Sequence, residues 1–133
     1  MNRFVLLLAT QLFITQLLFA TDRRGDTLDI VRTVLNLDFT DFSTRQMKAS
    51  ASITLRAKQN GVEFAHLDLL KLPVDSVVIE GFSTIYSYND SVLSVYLLNS
   101  LQQNDTVNMV VHYSGTPYRA PGDFGGFYWS STY

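Results

Sequence analysis

Apolar and polar side chains alternate with period two along most of the chain after Thr27. The clearest run is residues 46–58. Met47, Ala49, Ala51, Ile53, Leu55 and Ala57 alternate there with Gln46, Lys48, Ser50, Ser52, Thr54, Arg56 and Lys58, without an exception. In a strand, successive side chains point to opposite faces, so this run predicts an antiparallel strand with one buried face and one wet face. Its small alanines point to close approach of a second sheet. Residues 30–40 repeat the pattern, with Val31, Thr33, Leu35, Leu37 and Phe39 on one face and Arg32, Asn36, Asp38 and Thr40 on the other. The polar stretch Thr40-Asp41-Phe42-Ser43-Thr44 between the two runs suits a hairpin connection, so the first two strands are expected to pair.

Turn signals divide the remainder into shorter strands. Asn60-Gly61 and Glu80-Gly81 mark turns, and Asn89-Asp90-Ser91 separates residues 85–88 from 92–97. Residues 64–70 and 74–80 read as strands on either side of Pro73. Residues 99–105 read as a polar loop. Residues 106–114 form a long strand, with Val107, Met109, Val111 and Tyr113 on one face. Residues 115–126, rich in Gly and Pro, read as a loop, and the aromatic run after it as the start of a further strand. No stretch after Ala20 carries a helical stripe. Seven or eight short strands with turn signals about every 8–12 residues predict an all-β fold, an antiparallel β-sandwich or saddle.

The first 20 residues break this pattern. Arg3 is followed by a mostly apolar stretch, 4–19, interrupted by Thr10, Gln11, Thr15 and Gln16, and then by Ala20 and the polar Asp22-Arg23-Arg24. A membrane span needs about 20 nearly uninterrupted apolar residues. The short, interrupted stretch reads instead as a signal-peptide helix over 1–20. A mature region 21–133 is then expected, secreted or periplasmic, with no membrane attachment after cleavage. The chain has no cysteine, so packing rather than disulfides must hold it together. The formal charge is −2, without a basic block, which argues against nucleic acid as a partner.

A search for chemistry returns few candidates. His66 and His112 fall in separate predicted strands, outside any H-x-x-x-H or H-E-x-x-H pattern, and read as strand histidines. Gly81-Phe82-Ser83-Thr84-Ile85 lacks the second glycine of a nucleophile elbow and a following helix. Gly122-Asp123-Phe124-Gly125-Gly126 lacks the Lys-Ser/Thr of a phosphate loop. Asp38, Asp41 and Asp68 look like solvent-face or turn residues. Asp75, Asp90 and Asp105 each precede Ser or Thr in turn settings that favour bonds to local backbone. Asn89-Asp90-Ser91 and Asn104-Asp105-Thr106 are formal glycosylation sequons, meaningful in a eukaryotic secretory host. Phe124, Phe127, Tyr128, Trp129 and Tyr133 form either a stacking platform for sugar or peptide or, more in keeping with a nearby strand end, a core or interdomain seam.

Three segments together resemble the N-terminal domain of the aminopeptidase-N-like zinc metallopeptidases, in particular secreted bacterial members. The first is Val34-Leu35-Asn36-Leu37-Asp38-Phe39 followed by the strand from Met47 to Leu55, with Ala49 where the family often has Gly. The second is Leu67-Asp68-Leu69 with Val77-Val78-Ile79-Glu80-Gly81. The third is Val111-His112-Tyr113-Ser114-Gly115, similar to a "Tyr-x-Gly" strand end, and then Gly126-Phe127-Tyr128-Trp129-Ser130. The resemblance covers nearly all of 21–133 and implies an incomplete N-terminal β-saddle domain packed on a missing catalytic domain. In the family, that catalytic domain uses one zinc to activate water and remove N-terminal residues from peptide substrates. Its H-E-x-x-H and G-x-M-E-N motifs do not occur here, so no catalytic, cofactor-binding or metal residue is assigned to this chain. The zinc belongs to the presumed parent. Two alternatives are a stand-alone exported β-sandwich that binds carbohydrate or protein, and a scaffold descended from the peptidases without their activity.

Overall fold

A computed structural model describes residues 25–39 and 43–118. The signal-peptide expectation for 1–20, the centre of the first hairpin connection and the aromatic run beyond residue 118 lie outside the described residues. Eight strands are present among those residues: β1 (Leu28–Asp38), β2 (Met47–Ala57), β3 (Val62–Asp68), β4 (Val74–Ile79), β5 (Phe82–Ser83), β6 (Tyr86–Tyr88), β7 (Val92–Leu101) and β8 (Thr106–Gly115). They form two antiparallel sheets, a larger one in the order β1-β2-β8-β4-β5 and a smaller one in the order β3-β7-β6. The all-β sandwich expected from the alternation is the observed architecture. No described helix is long and apolar enough to cross a membrane.

The chain switches sheets repeatedly, and β8 returns to pair with both β2 and β4. That central position explains its strict alternation. Val107, Met109, Val111 and Tyr113 all turn inward and are buried, as are Met47, Ala49, Ala51, Ile53, Leu55 and Ala57 of β2. The smaller sheet supplies Ala65, Leu93, Val95 and Leu97, and β4 supplies Val77 and Ile79. Each large side chain removed from water here stabilises the fold by about 1.5–3 kcal/mol. Leu55, 1% exposed, is the most vulnerable of β2, since truncation to Ala costs about 2–5 kcal/mol. Tyr86 links the layers from β6 by donating its hydroxyl to the Val74 carbonyl at 3.2 Å.

The turns follow their sequence signals. Gly61 and Gly81 have φ of +77° and +89°, the left-handed region that glycine enters without a Cβ penalty. Asn89 accepts the backbone N–H groups of Ser91 and Val92 through Oδ1 at 3.2 and 2.8 Å, an Asx turn that closes the β6–β7 hairpin. Asp105 accepts the Gln102 N–H at 2.9 Å, as its turn setting predicts. Asp75 instead takes the Ser114 hydroxyl at 3.0 Å.

Two boundaries differ from the alternation. A β-bulge between Ile30 and Arg32 places Ile30, not Val31, opposite Leu55. The inner face of β1 is therefore Leu28, Ile30, Thr33, Leu35 and Leu37. The second difference is in 99–105. β7 continues through Leu101, which pairs with Val62 across a register shift between Val62 and Phe64.

Candidate functional site

The two outer faces of the sandwich differ in chemistry. On the larger sheet the outer face is mostly polar, with Val34, Val110 and Val78 among its residues, and is tied by cross-strand bonds. Thr54 donates its hydroxyl to Asn108 Oδ1 at 2.9 Å, and Arg56 pairs with the directly opposite Asp29 at 2.8 Å. This is a face built to meet water.

The smaller sheet turns large apolar side chains outward. Phe64 lies directly opposite Tyr96, and their rings meet edge to face with centroids 5.5 Å apart. The pairing of Tyr86 with Val95 brings Ile85 beside Tyr96, where the Tyr96 N–H donates to the Ile85 carbonyl at 2.9 Å. Phe64 of β3, Tyr96 of β7 and Ile85, which immediately precedes β6, thus form a row across the smaller sheet, and they are 48%, 41% and 78% exposed. Leu98 extends the patch along β7, and its exposure is of the same order. At the other end, the His66 ring stacks near Phe64 at 6.4 Å and shares a 2.9 Å hydrogen bond with the Ser94 hydroxyl. Two aromatic rings and two aliphatic side chains are thus grouped outward on one small sheet, in contrast to the singly scattered apolar residues of an ordinary surface.

A second uncovered apolar region lies between the sheets. The smaller sheet does not reach across β1, whose inner face leaves Ile30 and Leu35 each 56% exposed. The space is a groove of about 490 Å³, walled by Ile30, Leu35, Ala51 and Ile53 on one side and by Ala65 and Leu67 on the other. Buried Tyr113 stands at its margin, and burial pushes the phenol above its ordinary value. Tyr88, which donates to the Leu69 carbonyl at 2.9 Å, is also raised by desolvation, an effect partly opposed by the backbone at Leu72.

The histidines are placed apart. His66 is on the outside of the smaller sheet, and His112, opposite Ser50 and Ser76 on β8, is on the outside of the larger sheet. The two outer faces are separated by a sandwich whose sheets alone stand about 10 Å apart. Among the described residues, no group of three or more His, Cys, Asp or Glu side chains is placed to hold a metal ion. Ser83 lies in the two-residue β5 opposite Val78, a strand setting rather than a nucleophile elbow. The aromatic cluster singled out from the sequence is beyond the described residues. The Phe64–Tyr96–Ile85 row was not legible as a site, because its three members are far apart in sequence and meet only through strand register.

No family model matches the chain, and no curated protein matches it in sequence. Solved structures do. The M1 zinc metallopeptidase from Deinococcus radiodurans superposes with a TM-score of 0.65 at 22% identity, over 72% of this chain and 22% of that one. Native yeast LTA4 hydrolase gives 0.58 at 21% identity, over 68% of this chain and 15% of that one. The same fold is thus shared with a part of each metallopeptidase, and the matched region is about a fifth or less of their length.

Proposed function

We propose that this chain is the N-terminal, non-catalytic β-domain of a secreted zinc aminopeptidase. The observation that carries the reading is the joint occurrence of a β fold shared with part of metallopeptidase structures and an outward apolar row that the described residues leave uncovered. In this reading the Phe64–Tyr96–Ile85 row is the seam against the catalytic part of the parent, and the polar face of the larger sheet is its exterior. No group of three or more His, Cys, Asp or Glu side chains among the described residues is placed to hold a metal ion, and in this reading the zinc belongs to the catalytic part of the parent. The domain's work is to shape and shield the cleft in which the parent holds a peptide N-terminus.

The test is to determine the reading frame that follows codon 133 and express what it encodes. A frame carrying H-E-x-x-H with a downstream Glu, whose product cleaves an aminoacyl-anilide only with zinc, supports the reading. Robust hydrolysis by pure zinc-loaded residues 21–133 would sink it. The exposed Phe64–Tyr96 pair also favours a second reading, an exported sandwich that binds carbohydrate or protein. A stop codon at that point, with a monomer that retains an oligosaccharide through Phe64, supports this alternative.

A further inference from the structure

We propose that the free edge of β1 pairs with the same edge of a second copy of this chain, antiparallel and across a two-fold axis at Leu35, so that two larger sheets join into one. Hydrogen-bond parity, charge and the open space over β1 each point to this partner.

β1 ends the larger sheet, and among the described residues its ladder is with β2 alone. Ala57 donates its N–H to the Asp105 carbonyl at 2.8 Å. The odd-numbered residues of β2 therefore bond toward β8 and the even-numbered ones toward β1. Thr54, Ser52, Ser50 and Lys48 lie opposite Arg32, Val34, Asn36 and Asp38, so those residues of β1 bond inward. Thr33, Leu35 and Leu37 turn their N–H and C=O groups to the open edge. The bulge between Ile30 and Arg32 ends the regular stretch on one side, which leaves residues 32–38 as the part of the edge fit for pairing.

A two-fold pairing is self-complementary, and outward residues must meet outward residues. With the axis at Leu35, Leu35 faces its own copy and Thr33 faces Leu37 of the second copy, so the open backbone groups at all these positions are paired. An axis at Thr33 would set Leu35 against Val31 at the bulge. An axis at Leu37 would carry Thr33 and Leu35 past the end of β1. The same register places Arg32 opposite Asp38 of the second copy, once on each side of the axis, on the outer face. Among the described residues Arg32 makes no ion pair. Asp38 lies across from Lys48 in its own sheet, and a carboxylate accepts more than one donor. Within one copy Arg32 and Asp38 stand about 20 Å apart along the strand, so a second copy is what brings them together.

The inner side has room for this contact. The smaller sheet does not reach across β1, and Leu35 and Leu37 are 56% and 41% exposed. In the dimer Leu35 meets its copy and Leu37 meets Thr33, which covers part of the apolar face of β1 on both molecules. One strand pair buries less than the roughly 1,200–2,000 Å² of a stable interface, so the dimer forms at high concentration and dissociates on dilution. The edge belongs to the larger sheet and the Phe64–Tyr96–Ile85 row to the smaller one, so the pairing is independent of the function proposed above.

The chain has no cysteine, so single cysteines report the register. Leu35→Cys sets two thiols at facing positions with Cα atoms about 5.5 Å apart, and diamide is expected to trap it as a covalent dimer. Val31→Cys, exposed on the same strand, would lie about 26 Å from its copy and is expected to stay monomeric. Phe64→Ser is expected to leave trapping at position 35 unchanged. In sedimentation velocity the wild-type chain is expected to show a dimer whose share rises with concentration. Arg32→Glu should lower that share several-fold, and Arg32→Glu with Asp38→Arg should restore it, with far-UV circular dichroism confirming that each variant is folded. Should a charge variant fail to fold, the comparison of positions 31 and 35 decides alone. Equal trapping at those positions, trapping lost with Phe64→Ser, or a folded Arg32→Glu that associates like wild type would overturn the proposal. A wild-type monomer at every concentration, with Leu35→Cys untrapped, would also overturn it and leave the edge to a strand of another protein.

Discussion

Glu80 and Asn108 hold each other by two reciprocal bonds. The Glu80 N–H donates to the Asn108 carbonyl at 3.0 Å, and the Asn108 N–H donates to the Glu80 carboxylate at 2.6 Å. Glu80 has a φ of +48°, outside the range that most residues prefer. The turn after β4 is thereby fastened to the start of β8, and the left-handed backbone is held by a side chain rather than by glycine.

Replacing Glu80 by Ala removes the acceptor and keeps the unfavourable φ. A charged acceptor typically contributes about 1.5–3 kcal/mol, and exposure lowers this to about 1 kcal/mol here. Urea unfolding of Glu80→Ala should show a lower midpoint with an unchanged slope. Glu80→Gln, which keeps an acceptor oxygen, should recover part of the loss. Equal stability of wild type and Glu80→Ala would show that the bond contributes nothing net.

At Gly115 the φ is +128°, and a Cβ would sit 3.2 Å from Pro73 Cδ. Substitution by Ala therefore meets both a backbone penalty and a crowded ring, and is expected to cost roughly 1–3 kcal/mol. Gly81 provides the contrast. Its φ is +89°, but nothing lies within 4 Å of the place a Cβ would take, so Gly81→Ala carries the backbone term alone and should be the milder change. Thermal and urea unfolding of the two variants side by side checks the order.

Much of this architecture is legible as alternation. β2 and β8 sit between partners on both sides, with one face on the core and one in water, so their period of two is unbroken. β1 is harder to read because a bulge at Val31 changes which residues face inward, and bulges leave no fixed residue signature. The polar Asn99 and Ser100 end the pattern in β7 before the strand ends, since the ladder resumes at Leu101 opposite Val62 after a register shift. The outward apolar row depends on the register of β3 with β7 and on the approach of the segment before β6 to Tyr96. Spacing along the chain places Phe64, Ile85 and Tyr96 in strands but does not align them.

Tyr113 makes the fold sensitive to alkali. Burial raises its pKa in the folded chain above the ordinary 10.0, so below that value both states hold the proton and the phenol adds no pH dependence. As the pH rises past 10, the unfolded chain releases its proton first and stability falls until the folded phenol ionises. Tyr88, shifted in the same direction, adds to the slope. Urea midpoints measured from pH 8 to 11 should decline for wild type and decline less for Tyr113→Phe. An unchanged slope in that variant would mean that Tyr113 ionises alike in both states.

The outer row of the smaller sheet separates contact from stability. Phe64 and Ile85 are too exposed for their removal to open a cavity, so Phe64→Ser with Ile85→Ser should change folding stability by no more than about 1 kcal/mol. The edge-to-face contact of Phe64 with Tyr96 is worth about 0.5–1.5 kcal/mol beyond burial, which sets the scale of that loss. A dye that fluoresces on apolar surface should nevertheless bind the variant less, and concentrated solutions should associate less. Against a separately expressed downstream part of a parent chain, a central aromatic anchor typically contributes about 2 kcal/mol or more, so Phe64→Ser should weaken association by at least about tenfold and Ile85→Ser should weaken it less. Arg32→Ala, on the polar face of the larger sheet, should leave that association intact. Equal weakening by Arg32→Ala would place the seam on the other side of the sandwich, and calorimetric titration of the three variants distinguishes the two faces.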